Sequence, residues 1–168
     1  GEAGRFDIQG IATHEVGHFM GLDHTGVGAA TMNPFANTAD TRLRSLAQDD
    51  IAAASAIYSL GFAPGEITGS ITRSGGTVSG AHVVAENMYG EPASGCLSDA
   101  NGNFRIRGLD QGQYVVYVEP LDGPVTSSNF SVQTSNLTIN TSFGTTFYGG
   151  SPANPGLVMV SSGGSTPI

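Results

Sequence analysis

Three histidines within eleven residues constrain this chain more than any other feature: His14-Glu15-Val16-Gly17-His18-Phe19-Met20-Gly21-Leu22-Asp23-His24. On a helix, side chains four apart share a face, with Cβ atoms roughly 5–6 Å apart. His14 and His18 can therefore turn one imidazole nitrogen each toward a common metal ion. Glu15 stands one step round the helix, beside the metal without being a ligand. Gly21, which can take a left-handed conformation, ends the helix and reverses the chain. His24 then arrives from a loop as a third ligand. Three protein ligands leave one position open, and that separates a catalytic metal site from a closed structural one.

His-Glu-x-x-His is the short zinc-protease motif, with the Glu as general base, although it also arises as an ordinary polar helix face. The longer form, which fixes Gly21 and His24 as well, resembles the H-E-x-x-H-x-x-G-x-x-H signature of the metzincin metalloproteases, whose further mark is a methionine turn downstream. Met32, eight residues after His24 in Ala30-Thr31-Met32-Asn33-Pro34, resembles that turn in its matrixin form, in both spacing and following proline. Ser45-Leu46-Ala47-Gln48-Asp49-Asp50-Ile51, running on to Ile57-Tyr58, resembles the matrixin C-terminal helix. The resemblance covers about Phe6 to Tyr58. It implies Zn2+ held by His14, His18 and His24, Glu15 as the general base, and Met32 as an apolar base beneath the metal. It also implies that Gly21, Pro34 and Asp50 support the site, Asp50 by bonding the methionine-turn backbone. A protein or peptide substrate follows from the same resemblance.

The chain departs from the matrixin pattern in three places. Ala36 stands where an aromatic wall of the pocket for the residue after the cut is usual, with Phe35 one position early as its replacement. Thr25 stands where Ser is common. A metzincin catalytic domain also carries a twisted sheet before its zinc helix, whose edge strand holds the substrate, and here thirteen residues precede His14. The expectation is the ligand-bearing part of such a domain, weakly active or inactive alone.

Local patterns place the motif on structure. Asp7 is positioned as the N-cap of the first helix. Ile8, Ile11, Ala12, Val16, Phe19 and Met20 recur at helical spacing and predict a buried face opposite the histidines. Residues 25–44 read as loop. Ser45-Leu46-Ala47-Gln48 resembles a capping box, predicting a second helix from about Leu46 to Leu60 with Gly61 as its C-cap. Asp49 and Asp50 fall in its first turn, where acidic surface side chains suit the helix dipole.

Beyond the Phe62-Ala63-Pro64-Gly65 linker the period changes to alternation. Strands are predicted over Glu66–Thr72, Ala81–Ala85, around Cys96, over Phe104–Ile106 and over Tyr114–Val118. Asn101-Gly102 marks a hairpin. Calcium in the Asp99–Asn103 run is disfavoured, because the glycine position and distal Glu of an EF-hand loop are missing. Residues Gly65 to Glu119 resemble the carboxypeptidase regulatory-like, transthyretin-like sandwich domains, above all in Ser98-Asp99-Ala100-Asn101-Gly102-Asn103-Phe104 and Leu109-Asp110-Gln111-Gly112-Gln113-Tyr114. Such domains are commonly non-catalytic modules of secreted or cell-surface proteins. His82 reads as a strand-face residue remote from the histidine motif. From Gly123 to Ile168 there is no charged residue. Alternation at Phe130-Ser131-Val132 and Leu137-Thr138-Ile139 predicts strands there, and Asn129, Asn136 and Asn140 head Asn-x-Ser/Thr triplets.

Composition narrows the partners. The net charge is -8, and the six basic residues are all Arg and scattered, so nothing is arranged to neutralise a phosphate backbone. Nucleic acid is not a partner. No stretch approaches the ~20 apolar residues of a membrane span. Cys96, the lone cysteine, has no internal disulfide partner. The whole predicts an α+β chain in three parts. Residues 1–62 form a two-helix metzincin C-terminal subdomain, 65–122 an antiparallel β-sandwich, and 123–168 an uncharged β segment that starts a further module. The function read from it is that of a secreted or cell-surface zinc endopeptidase. The alternative is a non-catalytic surface or adhesion module carrying an inert protease remnant.

Overall fold

The computed structural model of the chain describes residues 2–58, 63–130 and 137–168. Two helices precede a β-sandwich, an α+β architecture. Helix α1 spans Ile8–Phe19, and Asp7 caps it by accepting a hydrogen bond from Gly10 N at 2.7 Å. Helix α2 spans Gln48–Ile57 and starts later than the sequence suggests, capped at Ala47 rather than Ser45. Asp50 Oδ2 takes the Ala47 N–H at 2.8 Å, while the Ser45 carbonyl accepts from Thr31 Oγ1. Tyr58 is already extended. Leu60 and Gly61 lie outside the described residues.

The apolar stripe of α1 is not buried. Ile8 is 83 % exposed and Phe19 89 %, and Gly10 is the one buried residue of the helix. The helix docks instead through its small residues. Leu43, from the 3-10 turn Arg42–Arg44, packs on Gly10, and Met32 fills the space beside Gly17. Arg44 forks onto Asp7 at 2.6 Å. Helical periodicity reports that a stripe exists, but burial needs an opposing surface, and no described element covers Ile8, Val16 or Phe19.

In the sandwich, β1 is Gly65–Ser70, β2 Thr72–Arg73, β3 Gly76–Thr77, β4 His82–Asn87 and β5 Pro92–Leu97. They are followed by β6 Asn103–Leu109, β7 Gly112–Glu119, β8 Thr146–Phe147, β9 Leu157–Val160 and β10 Ser165–Pro167. One main sheet runs β10-β1-β6 and the other β5-β4-β7, with β8 and β9 both on the outer edge of β7, while β2 and β3 pair as a separate two-stranded ribbon. Pairing is antiparallel except that β10 lies parallel to β1, with Glu66 opposite Ser165. Ile67, Phe104 and Ile106 from the first sheet meet Val83, Ala85, Val116, Val158 and Val160 from the second in one core. Residues 123–168 thus supply three strands to these two sheets rather than a separate layer. Leu137–Ile139 forms no strand: Ile139 packs against Gly80, and Asn140 N bonds the Ser79 carbonyl at 3.0 Å. Ser131 and Val132 lie outside the described residues.

The two parts meet directly. Helix α2 lies across β5 and β6, so closely that a Cβ on Gly108, which has φ +78°, would collide with the Ala52 carbonyl. Among the described residues no helix is long and apolar enough to cross a membrane.

Candidate metal centre

A six-residue reversal places the three histidines. At the end of α1, Gly21 takes φ +87°. Its N–H reaches the His18 carbonyl at 2.9 Å, and Leu22 N reaches the Gly17 carbonyl at 3.0 Å. This pair of bonds satisfies carbonyls that a helix end leaves over. It also brings the Leu22 carbonyl to His18 Nδ1 at 2.9 Å and returns the chain at His24.

His24 Nε2 lies 3.2 Å from His18 Nε2 and 3.3 Å from His14 Nε2. The ligand atoms of all three lie within 4.8 Å of one another. Each Nδ1 faces a backbone carbonyl: Thr31 for His14 at 2.7 Å, Leu22 for His18, and Asn129 for His24. A carbonyl only accepts, so each Nδ1 carries the proton and each Nε2 presents a lone pair. Three lone pairs turned on one point cannot hydrogen-bond one another. One cation could take all three. A tetrahedral ion with metal–nitrogen bonds of about 2.0–2.1 Å holds its ligand nitrogens roughly 3.3 Å apart, and the 3.2 Å and 3.3 Å separations of His24 from its two neighbours fit that value. The carbonyls behind the rings are the outer support that fixes ring orientation in metal sites.

Met32 is buried against α1, where a Cβ on Gly17, the residue before His18, would collide with its sulfur. Asp50, 1 % exposed, accepts from Thr31 N at 2.8 Å and Met32 N at 2.9 Å, besides Ala47 N. One carboxylate thus ties the methionine turn to the start of α2. Pro34 is half-buried just beyond the turn. Glu15 is exposed on α1 next to His14. Phe35 is 46 % exposed, its N–H turned back to Asn33 Oδ1.

Asp49 differs from the surface acid that its place in the first turn suggested. It is 5 % exposed, and burial pushes its carboxyl up to about 6, against the opposing pull of hydrogen bonds from Thr25 and Gly95 N. Gly95 N donates to Asp49 Oδ1 at 2.7 Å. His82 also stands nearer the motif than its sequence position implied. Its ring is buried between Gly26 and Gly95, where an added Cβ would come within 2.8 Å and 2.9 Å of it. Its Nδ1 bonds Glu119 Oε1 at 2.9 Å. Burial pushes the Cys96 thiol up to about 12.

Residues 2–59 match the family model Matrixin, and residues 66–143 match Carboxypeptidase regulatory-like domain. The two matches follow one another along the chain, in the order that the motifs suggested. The match ties residues 2–59 to a metalloprotease family that depends on zinc. No curated protein matches the chain significantly. Gly17, Asp49 and Asn129 are the site residues that motif reading passed over. Only Gly17 left a signal, a glycine inside an otherwise regular helix.

Proposed function

We propose that the protein is a zinc-dependent endopeptidase of matrixin type, acting at the cell surface or after secretion. His14, His18 and His24 hold the metal through Nε2. A zinc ion held there would supply a Lewis acid that polarises the peptide carbonyl and acidifies the attacking water. Glu15, exposed beside His14, takes the proton from the attacking water and returns it to the leaving amine. Met32 and Asp50 keep the floor of the site rigid, and Phe35 borders the pocket for the residue after the cut. The observation that carries this reading is the convergence of three Nε2 lone pairs, each backed by a carbonyl on Nδ1.

The turnover of this chain should be low. Among the described residues, none between 2 and 58 forms a strand, so this segment itself offers an extended substrate no strand edge to bond its backbone. Proximity and orientation are worth roughly 7–11 kcal/mol of barrier in a well-held complex. The same observation favours a second reading, a non-catalytic surface module with an inert metal site. The test has two arms. Zinc content of the wild type against His18→Ala should be about one equivalent against none, and equal content in both overturns the metal site. Slow cleavage of an unstructured protein should drop about 10²–10⁴-fold in Glu15→Ala with zinc retained. Zinc binding with no Glu15-dependent cleavage leaves the second reading.

A further inference from the structure

Two of the three carbonyls behind the histidines, those of Thr31 and Leu22, belong to the matrixin segment. The third belongs to Asn129, 105 positions from His24 and within the span of the regulatory-like domain. It is presented by the 3-10 turn Ser127–Asn129. Asn129 shapes that turn itself: its Oδ1 accepts from Thr126 N at 2.8 Å and its N–H donates to the Thr126 carbonyl at 3.0 Å. The residues after His24 are gripped by the same domain. Gly26 lies against the His82 ring, and Val27, 4 % exposed, packs on Gly95. Thr25 bonds Asp49, which in turn takes Gly95 N. The loop that delivers the third ligand therefore has the sandwich on one side along Gly26 and Val27, and the Asn129 carbonyl behind its imidazole.

We propose that the regulatory-like domain is a working part of the metal centre, with the Asn129 carbonyl as the positioning group that sets the tautomer and orientation of His24. This rests on the metal site proposed above. A ring with its proton on Nε2 turns no lone pair toward the ion from that nitrogen, and a ring free to rotate presents it only part of the time. Outer-shell partners of metal-binding histidines are typically worth 10–100-fold in affinity. In this arrangement an accessory domain governs metal loading without contributing a ligand.

The test moves the carbonyl without touching the ligands. In Phe130→Pro, proline disfavours helical backbone at the residue before it and drives Asn129 toward extended ψ, which swings its carbonyl off His24; Phe130→Ala controls for the lost ring. Asn129→Ala loosens the turn from its other side, and Asn129→Asp keeps the capping oxygen. Two quantities are read in the whole chain: zinc affinity by competition with a chromophoric chelator, and the ring-nitrogen chemical shifts of the three histidines in metal-free protein. Expected are a 10–100-fold loss of zinc affinity in Phe130→Pro and Asn129→Ala, near wild-type affinity in the two controls, and loss of the Nδ1–H tautomer at His24 alone. His14 and His18 should keep theirs, which a general loss of structure would not allow. Wild-type affinity and an unchanged His24 tautomer in both test variants overturn the proposal. Should Phe130→Pro fail to fold, Asn129→Ala decides. A wild type that binds no zinc overturns the function proposed above, while the His24 tautomer still reports the contact.

Discussion

The matrixin segment and the sandwich are held together by different forces. The sandwich buries Ile67, Val83, Ile106, Leu109 and Val160 almost completely between its sheets. Among its described residues the matrixin segment buries only the apolar side chains of Val27, Ala30, Met32, Leu43 and Ala52 and leaves Ile8, Val16, Phe19 and Ile57 largely in water. What it buries instead is polar: Thr31, Asn33, Asp49, Asp50 and Ser55. A domain with an apolar core resists change in proportion to the volume removed. A segment organised by one triply bonded carboxylate depends on that group's geometry, and on its neighbour for much of its cover.

Four substitutions break or sharpen this contrast, and denaturant titration of the metal-free chain measures each. The largest effect belongs to Ile106→Ala, which empties a fully buried site between the sheets and should cost about 2–5 kcal/mol. A cost below 1 kcal/mol would mean that the sandwich is not the stable partner. Asp50→Asn comes next, because an amide cannot accept from Thr31, Met32 and Ala47 together; about 2 kcal/mol is expected, with a loss of zinc affinity that Ile106→Ala does not share while folded.

Asp49→Asn should act with the opposite sign at neutral pH. With the folded-state carboxyl pushed up to about 6 from the ordinary 3.8, protonation favours the folded state. The contribution is full below about pH 4 and is lost as pH rises through about 6. An Asn that cannot ionise should flatten that slope and gain on the order of 1 kcal/mol over wild type at pH 7.5. Identical pH profiles for the two proteins would remove burial as the cause. The smallest effect is expected from Phe19→Ser, within about 0.5 kcal/mol because the ring is already in water. A large loss there would show that the α1 stripe has a partner in solution.

The two parts were also unequally legible. The histidine spacing, Gly21 and Met32 lie within 19 residues of one another, so local geometry nearly dictates their meeting. The alternation of β6, buried at Phe104 and Ile106 and exposed at Arg105 and Arg107, announced that strand, whereas β4 and β7 read as short apolar runs that are buried on both faces over Val83–Ala85 and Tyr114–Val116. The face of α1 misled, since amphipathicity names a surface and not its cover. Leu137-Thr138-Ile139 misled in the same way: the alternation is real, but its Ile139 fills the space over Gly80 with no strand partner. The approach of Asn129 and His82 to the histidine loop could not be read at all, because a backbone carbonyl has no sequence signature and contacts between distant segments follow only from docking.

One detail of the sandwich carries a mechanical consequence. Strand β10 runs parallel to β1, and the ladder is extended at both ends, by Gly163 N to the Ala63 carbonyl at 2.7 Å and by Ile168 N to the Thr68 carbonyl at 2.9 Å. Tension applied between Ala63 and Ile168 pulls neighbouring strands along their own axes in opposite directions. The hydrogen bonds between them are then loaded together in shear, not peeled open one at a time, so the first event under force is resisted by the whole ladder.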